Sequence, residues 1–233
     1  MDLSDFELDQ SIFEFRYSPS YLHWDKAGFL WNDAQIKWPK LKIKRGEPNA
    51  TSFTLDNTYE IAVTLEKASV VCYFPKSDLA DFIEKVDYFV GATSKQLDIS
   101  QFTRVGLRLL YLKTYPNVES ASGAFLQAKL LNLPGGLNFG LDGSFSLPEF
   151  AVRWEGSAAG VTVRLRTEGR KIDFDPPMGI RELEPFHQEK FVLVYDIDYF
   201  TKGTLTVGQF RTQDWISNVL HVVRRDSRKF LGA

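Results

Sequence analysis

The chain has 233 residues, 44% hydrophobic and 25% charged, the balance of an ordinary globular protein with enough length for one large core. A formal charge of −2 gives no global attraction to nucleic acid or to an anionic membrane surface, and one cysteine excludes an intramolecular disulfide. The opening MDLSDFELDQ lacks the basic and apolar regions of a leader, and no apolar run reaches the ~18 residues that span a bilayer, so a cytoplasmic protein without membrane contact is expected.

Strands come first. In IFEFRY, Phe13, Phe15 and Tyr17 share one face, Glu14 and Arg16 the other. ATSFTLD and YEIAVTLE alternate in the same way around the turn signal Asp56-Asn57, and VVCYF follows a break placed at Lys67-Ala68. Connections this short join antiparallel strands. Cys72 lies inside the last run, with no histidine near it, and reads as a buried structural thiol.

The period then changes. Leu79, Phe82, Ile83, Val86, Phe89 and Val90 recur at helical spacing, with Ser77 as N-cap and Gly91 as stop. The strand QFTRVGLRLLYLKTY follows, then a helix over VESASGAFLQAKLL and the Gly/Pro-rich loop NLPGGLNFGLDGS. PEFAVRWEG and VTVRLRTE form a hairpin, residues 169–189 read as an irregular excursion with three prolines, and KFVLVYDIDYF is a strand. The closing helix is marked by a capping-box pattern at Thr206 to Gln209 and by a buried stripe of Ile216, Val219, Leu220 and Val223, with His221 packed near it. Arg224, Arg225, Arg228 and Lys229 suit its C-terminus. The expected fold is α+β: a mainly antiparallel sheet with helices on one face, in a single domain over 1–233. If YLHWDKAGFLWNDAQI is helical despite Gly28 and its uneven aromatic spacing, the chain reads as two β-α-β-β-β-α repeats, 11–97 and 101–233.

The run VLVYDIDYF carries the main site signal. Leu193, Tyr195, Ile197 and Tyr199 form a core face, which leaves Asp196 and Asp198 opposite it, about 6.5–7 Å apart along the strand. Arg104 and Arg108 stand opposite the apolar face of their own strand, as do Arg164, Arg166 and Arg153. Five arginines and two aspartates are thus expected on one sheet face, as a solvated surface of ion pairs or as a seat for an anion, with the aspartates pairing Arg104 or Arg108. Lys40, Lys42 and Lys44 in KWPKLKIKR read first as protection of an edge strand and second as a phosphate-contacting ribbon. The loop PGGLNFGLDG lacks P-loop spacing, and DFDPP is turn chemistry before it is a metal site. His23, His187 and His221 hold no ligand spacing, so neither a metal nor a cofactor is expected.

IFEFRY, RVGLRLLY and VLVYDIDYF together resemble a sporadically distributed family of uncharacterised prokaryotic proteins of about this length. Glu14 and Arg16 match its first motif, and Asp196, Ile197, Asp198 and Tyr199 its D-I-D-x-Y strand, whereas Leu109-Leu110 replace the Tyr-Ile-Asn that follows its mid-chain arginine. The resemblance implies accessory roles such as defence.

Two functions are weighed. One is a non-enzymatic binding module whose arginine face takes an anionic small molecule or a protein partner. The other is a metal-dependent phosphohydrolase, since the alternating charges resemble the triphosphate-tunnel enzymes. That resemblance implies metal binding by Glu14, Asp196 and Asp198 and phosphate binding by Arg104, Arg108, Arg164 and Arg166, although the opening E-x-E-x-K is missing. A closed barrel favours the enzyme and an open sheet the module.

Overall fold

The structure, a computed structural model, describes residues 1–75, 78–131, 145–174 and 186–232, with the backbone alone at 172–174 and 186–188. The strands are β1 (Glu7–Arg16), β2 (Lys42–Glu47), β3 (Ala50–Leu55), β4 (Tyr59–Thr64), β5 (Lys67–Tyr73), β6 (Gln101–Phe102), β7 (Arg104–Tyr115), β8 (Glu149–Glu155), β9 (Ala159–Phe174), β10 (Phe186–Thr201) and β11 (Leu205–Thr206). The helices are α1 (Leu22–Lys37), α2 (Ala80–Gln96), α3 (Val118–Gln127) and α4 (Thr212–Phe230).

Nine strands form one antiparallel sheet in the order β2-β3-β4-β5-β1-β7-β10-β9-β8, and β11 pairs with β6 beside it. The fold is therefore α+β with a mainly antiparallel sheet. From the central β1–β7 pair the order reads outwards as β5-β4-β3-β2 on one side and β10-β9-β8 on the other. A helix follows each central strand and each of β5 and β10.

One sheet face is the core. Phe82, Val86 and Phe89 of α2 are buried in the same cluster as Phe13, Phe15, Val63 and Leu107, with Ile83 packed against it. Helix α4 adds Ile216, Val219, Leu220 and Val223, and α3 adds Ala124 and Phe125. The match of a 3.6-residue period on the helices to a 2-residue period on the strands makes this contact.

Helix α1 is present, and its two apolar sides explain why its period is hard to read. His23, Leu30 and Ala34 are buried, while Leu22, Phe29 and Ile36, spaced by seven, are exposed. His23 Nδ1 lies 3.1 Å from the Pro48 carbonyl oxygen.

Several local expectations are corrected. Gly91 does not stop α2, which continues to Gln96. Asp98 ends it instead, at φ 51°, with the Ile99 amide donating to the Ser94 carbonyl in a Schellman-type closure. Lys67 and Ala68 are inside β5, because the hairpin turns at Leu65-Glu66. Thr206 to Gln209 makes a 3-10 turn without a side-chain cap, and α4 begins only at Thr212. His221 is exposed, not packed. The excursion at 169–189 is shorter than expected, because β9 runs to Phe174 and β10 starts at Phe186, pairing Phe174 with Phe186. Ser77 lies outside the described residues.

The turn at Asp56-Asn57 has φ values of 50° and 56°, the positive pair that matches the twist of a tight hairpin. Cys72 is 1% exposed, and burial pushes its thiol above the ordinary value. A thiol reagent should therefore label the native protein far more slowly than the urea-unfolded chain. Equal rates would contradict this packing.

Candidate anion-binding face

The register brings all seven sequence-predicted residues to the sheet face opposite the core. Across β7, β10, β9 and β8, one row contains Arg108, Asp198, Thr162 and Arg153, and the next contains Leu110, Asp196, Arg164 and Ala151. Arg166 stands one row further, beside Val194, and Arg104 lies beyond Gly106 at the other end.

Pairing between β7 and β10 is offset from the direct register. Arg108 is directly opposite Asp198, yet it donates to Asp196 from Nε and Nη2 at 2.8 and 2.7 Å. Arg104 reaches Asp198 instead, at 3.0 Å. An arginine arm spans the diagonal of a twisted antiparallel pair, and the bidentate fork is the strongest geometry available to Arg108.

Asp196 is the centre. Besides Arg108, Arg164 and Arg166 reach its Oδ2 at 3.4 and 3.3 Å. The carboxylate side chain is 0% exposed, while those of Arg108, Arg164 and Arg166 are 40, 37 and 22% exposed. Burial pushes its pKa up, but the hydrogen bonds and charges of Arg108 and Arg166 outweigh this and hold the carboxyl below the ordinary value. Arg166 is further held by Glu168 at 2.6 Å. Arg164 has no other ion pair or hydrogen bond among the described residues, so most of its five N–H groups are available to a ligand.

A second node lies two strands away. Glu14 accepts from Arg16 at 2.8 Å and from Lys67 at 3.2 Å, with Arg104 at 3.7 Å. Burial opposes the charge on Glu14, but Arg16 and Lys67 hold its pKa below the ordinary value. Arg16 stands directly between Lys67 and Arg104 in the sheet, a row of three cations that would repel without Glu14. Arg104 reaches from Glu14 to Asp198, which stands opposite Arg108 of the first node. Strand parity in the sequence puts Glu14 and Arg16 opposite the apolar face of β1; Lys67, expected in a break between strands, stands on this face because β5 begins with it.

Phe200 shares the parity of Asp196 and Asp198 and joins the site through its ring, which a reading confined to charged residues does not select. The Arg104 and Arg153 guanidinium carbons lie 4.7 and 5.0 Å from its ring centroid. Arg153 contacts neither aspartate; it pairs with Glu155 at 2.5 Å. Farther along the face, Arg170 comes within 3.9 Å of Asp9, whose pKa burial raises.

The other candidates are placed differently. Lys42 and Lys44 lie on β2, an edge strand, with Lys44 on Glu60 at 2.7 Å, and Lys40 precedes it, 3.7 Å from Asp56. The loop at Pro134 to Gly143 and residues 175–177 of DFDPP are outside the described residues. Glu14, Asp196 and Asp198 form no common cluster, and among the described residues no group of three His, Cys, Asp or Glu side chains could hold a metal ion. Among the described residues, no helix is long and apolar enough to cross a membrane. Comparison of the chain with known protein-family profiles, curated proteins and solved structures gave no match in any of the three.

Proposed function

We propose that this protein is a binding module whose open arginine-rich sheet face takes an anionic ligand. One observation carries the reading: two carboxylates, Glu14 and Asp196, are each surrounded by three cations. In this network seven cations (Arg16, Lys67, Arg104, Arg108, Arg164, Arg166, Arg170) stand against five carboxylates (Glu14, Asp196, Asp198, Glu168, Asp9), which leaves two positive charges, 7 − 5, within it, in a chain whose total is −2. The carboxylates hold the guanidinium groups in fixed positions, and Arg164 is the most available donor. A ligand with several negative charges fits two nodes on one face better than a single anion does. The sheet order is open, with ends at β2 and β8, which supports a surface module over a phosphohydrolase tunnel. The family resemblance adds an accessory, defence-type role in a prokaryotic cell to this reading.

Thermal melting with sulfate, pyrophosphate, tripolyphosphate and ATP at low ionic strength tests it. The melting temperature should rise with ligand charge, because a ligand that binds only the native state stabilises it. The rise should fade in concentrated salt, which screens exposed charges. Arg164→Met should lose most of the shift and keep the unliganded melting temperature. If no polyanion shifts the wild-type protein, the proposal fails.

A further inference from the structure

The two ends of the sheet are not alike. β2 is fully exposed and carries Lys42, Lys44 and Arg45, the charges that commonly guard an edge against pairing with another chain. β8, at the opposite end, pairs only with β9 among the described residues, and its charges are Glu149, Arg153 and Glu155, with no lysine. Three large apolar side chains are exposed in it or just before it: Phe145, Leu147 and Trp154, at 45, 50 and 49%. An edge strand whose charges are of both signs, flanked by exposed apolar groups, can pair with a complementary edge.

We infer that β8 pairs with β8 of a second copy of this chain, antiparallel and about a two-fold axis at Ala151. The strand's own pattern selects the partner and the register. Glu149, Ala151 and Arg153 lie on the charged face, and Phe150, Val152 and Trp154 on the core face. Facing residues of an antiparallel pair share a face, so the axis must pass through a residue and not between two. With the axis at Ala151, Glu149 faces Arg153 of the second copy, twice over, and Phe150 faces Val152. Trp154 then meets Pro148, next to Leu147, which faces Glu155. With the axis at Val152, Glu149 would face Glu155, a like-charge pair that disfavours that register.

One further observation fits. Glu149 has no ion pair or hydrogen bond within the chain among the described residues, and Arg153 stands four residues from it on the same face. The pair joins two nine-stranded sheets into one and sets the two charged faces side by side. Closed two-fold dimers are the commonest assembly, and this contact uses the same strand on both copies, so it does not propagate.

The test is sedimentation velocity on the full chain across the micromolar range, with wild type, Glu149→Arg, Arg153→Glu and the double exchange. Wild type should be a concentration-dependent dimer. Each single reversal puts like charges opposite each other at two places and should weaken dimerisation at least ~10-fold, and the double exchange should restore it. Circular dichroism should show all four proteins folded, since both positions are exposed. A wild-type monomer at every concentration, a larger assembly, a dimer indifferent to both reversals, or a double exchange that fails to restore it would each overturn the inference.

Discussion

Asp196→Ala should lower the folding free energy by about 3 kcal/mol in urea titrations, the low end of the cost of breaking a buried ion pair. The carboxylate is fully buried, and three guanidinium groups converge on it. Without it, three like charges remain within a few ångströms of one another. The cost stays at the low end because those arginines still reach water. Asp198→Ala should cost under ~1 kcal/mol, since Asp198 is 28% exposed and has one arginine partner. Equal losses at the two positions would show that Asp196 is not the centre of the network.

The same carboxylate sets a pH dependence. Its folded pKa lies below the unfolded value, so its stabilising contribution is fully present above about pH 3.9, the ordinary aspartate value, and is lost as pH falls through the folded pKa. Wild type should therefore lose stability over this acid range more steeply than Asp196→Ala, and the difference between the two should shrink as the pH drops.

Gly160→Ala should be the second most costly change on this face, at about 2 kcal/mol, within the range for overpacking. A Cβ at Gly160 would stand 2.6 Å from Phe200 Cζ and 2.9 Å from Cε2. The Phe200 ring is 6% exposed and lies under Arg104 and Arg153, so it has little freedom to move away. Shifting it also displaces both guanidinium groups, so affinity for polyanions should fall together with stability. Combining Gly160→Ala with Phe200→Ala should give less than the sum of the two losses, because the second change removes the clash made by the first. Strict additivity in the double variant would show that the ring and the glycine do not interact.

Asp196, Asp198 and the five arginines were assigned to one face from the sequence because strand parity is a local property: each needs only its own strand's apolar alternation as reference. The buried stripes of α2 and α4 were readable for the same reason, since burial follows from a period within one element. Where a local signal had two sources, it failed. Gly91 has the residue type of a helix stop, but Thr93 and Leu97 continue the buried stripe past it, and Asp98 takes the left-handed position instead. The aromatics of α1 obscured their period because Leu22, Phe29 and Ile36 form a second apolar stripe that stays in water.

What only the tertiary structure decided is which charge meets which. The order β1-β7-β10-β9 makes neighbours of residues as far apart as Arg108 and Asp196, and the register sets Arg108 opposite Asp198 while its side chain reaches diagonally to Asp196. Neither fact is encoded near either residue. Strand order follows from burying the whole apolar face at once, and the choice of diagonal depends on twist and on the length of an arginine side chain. The sequence by itself determined a charged face on an antiparallel α+β sheet. The long-range packing determined that this face is organised around one buried carboxylate.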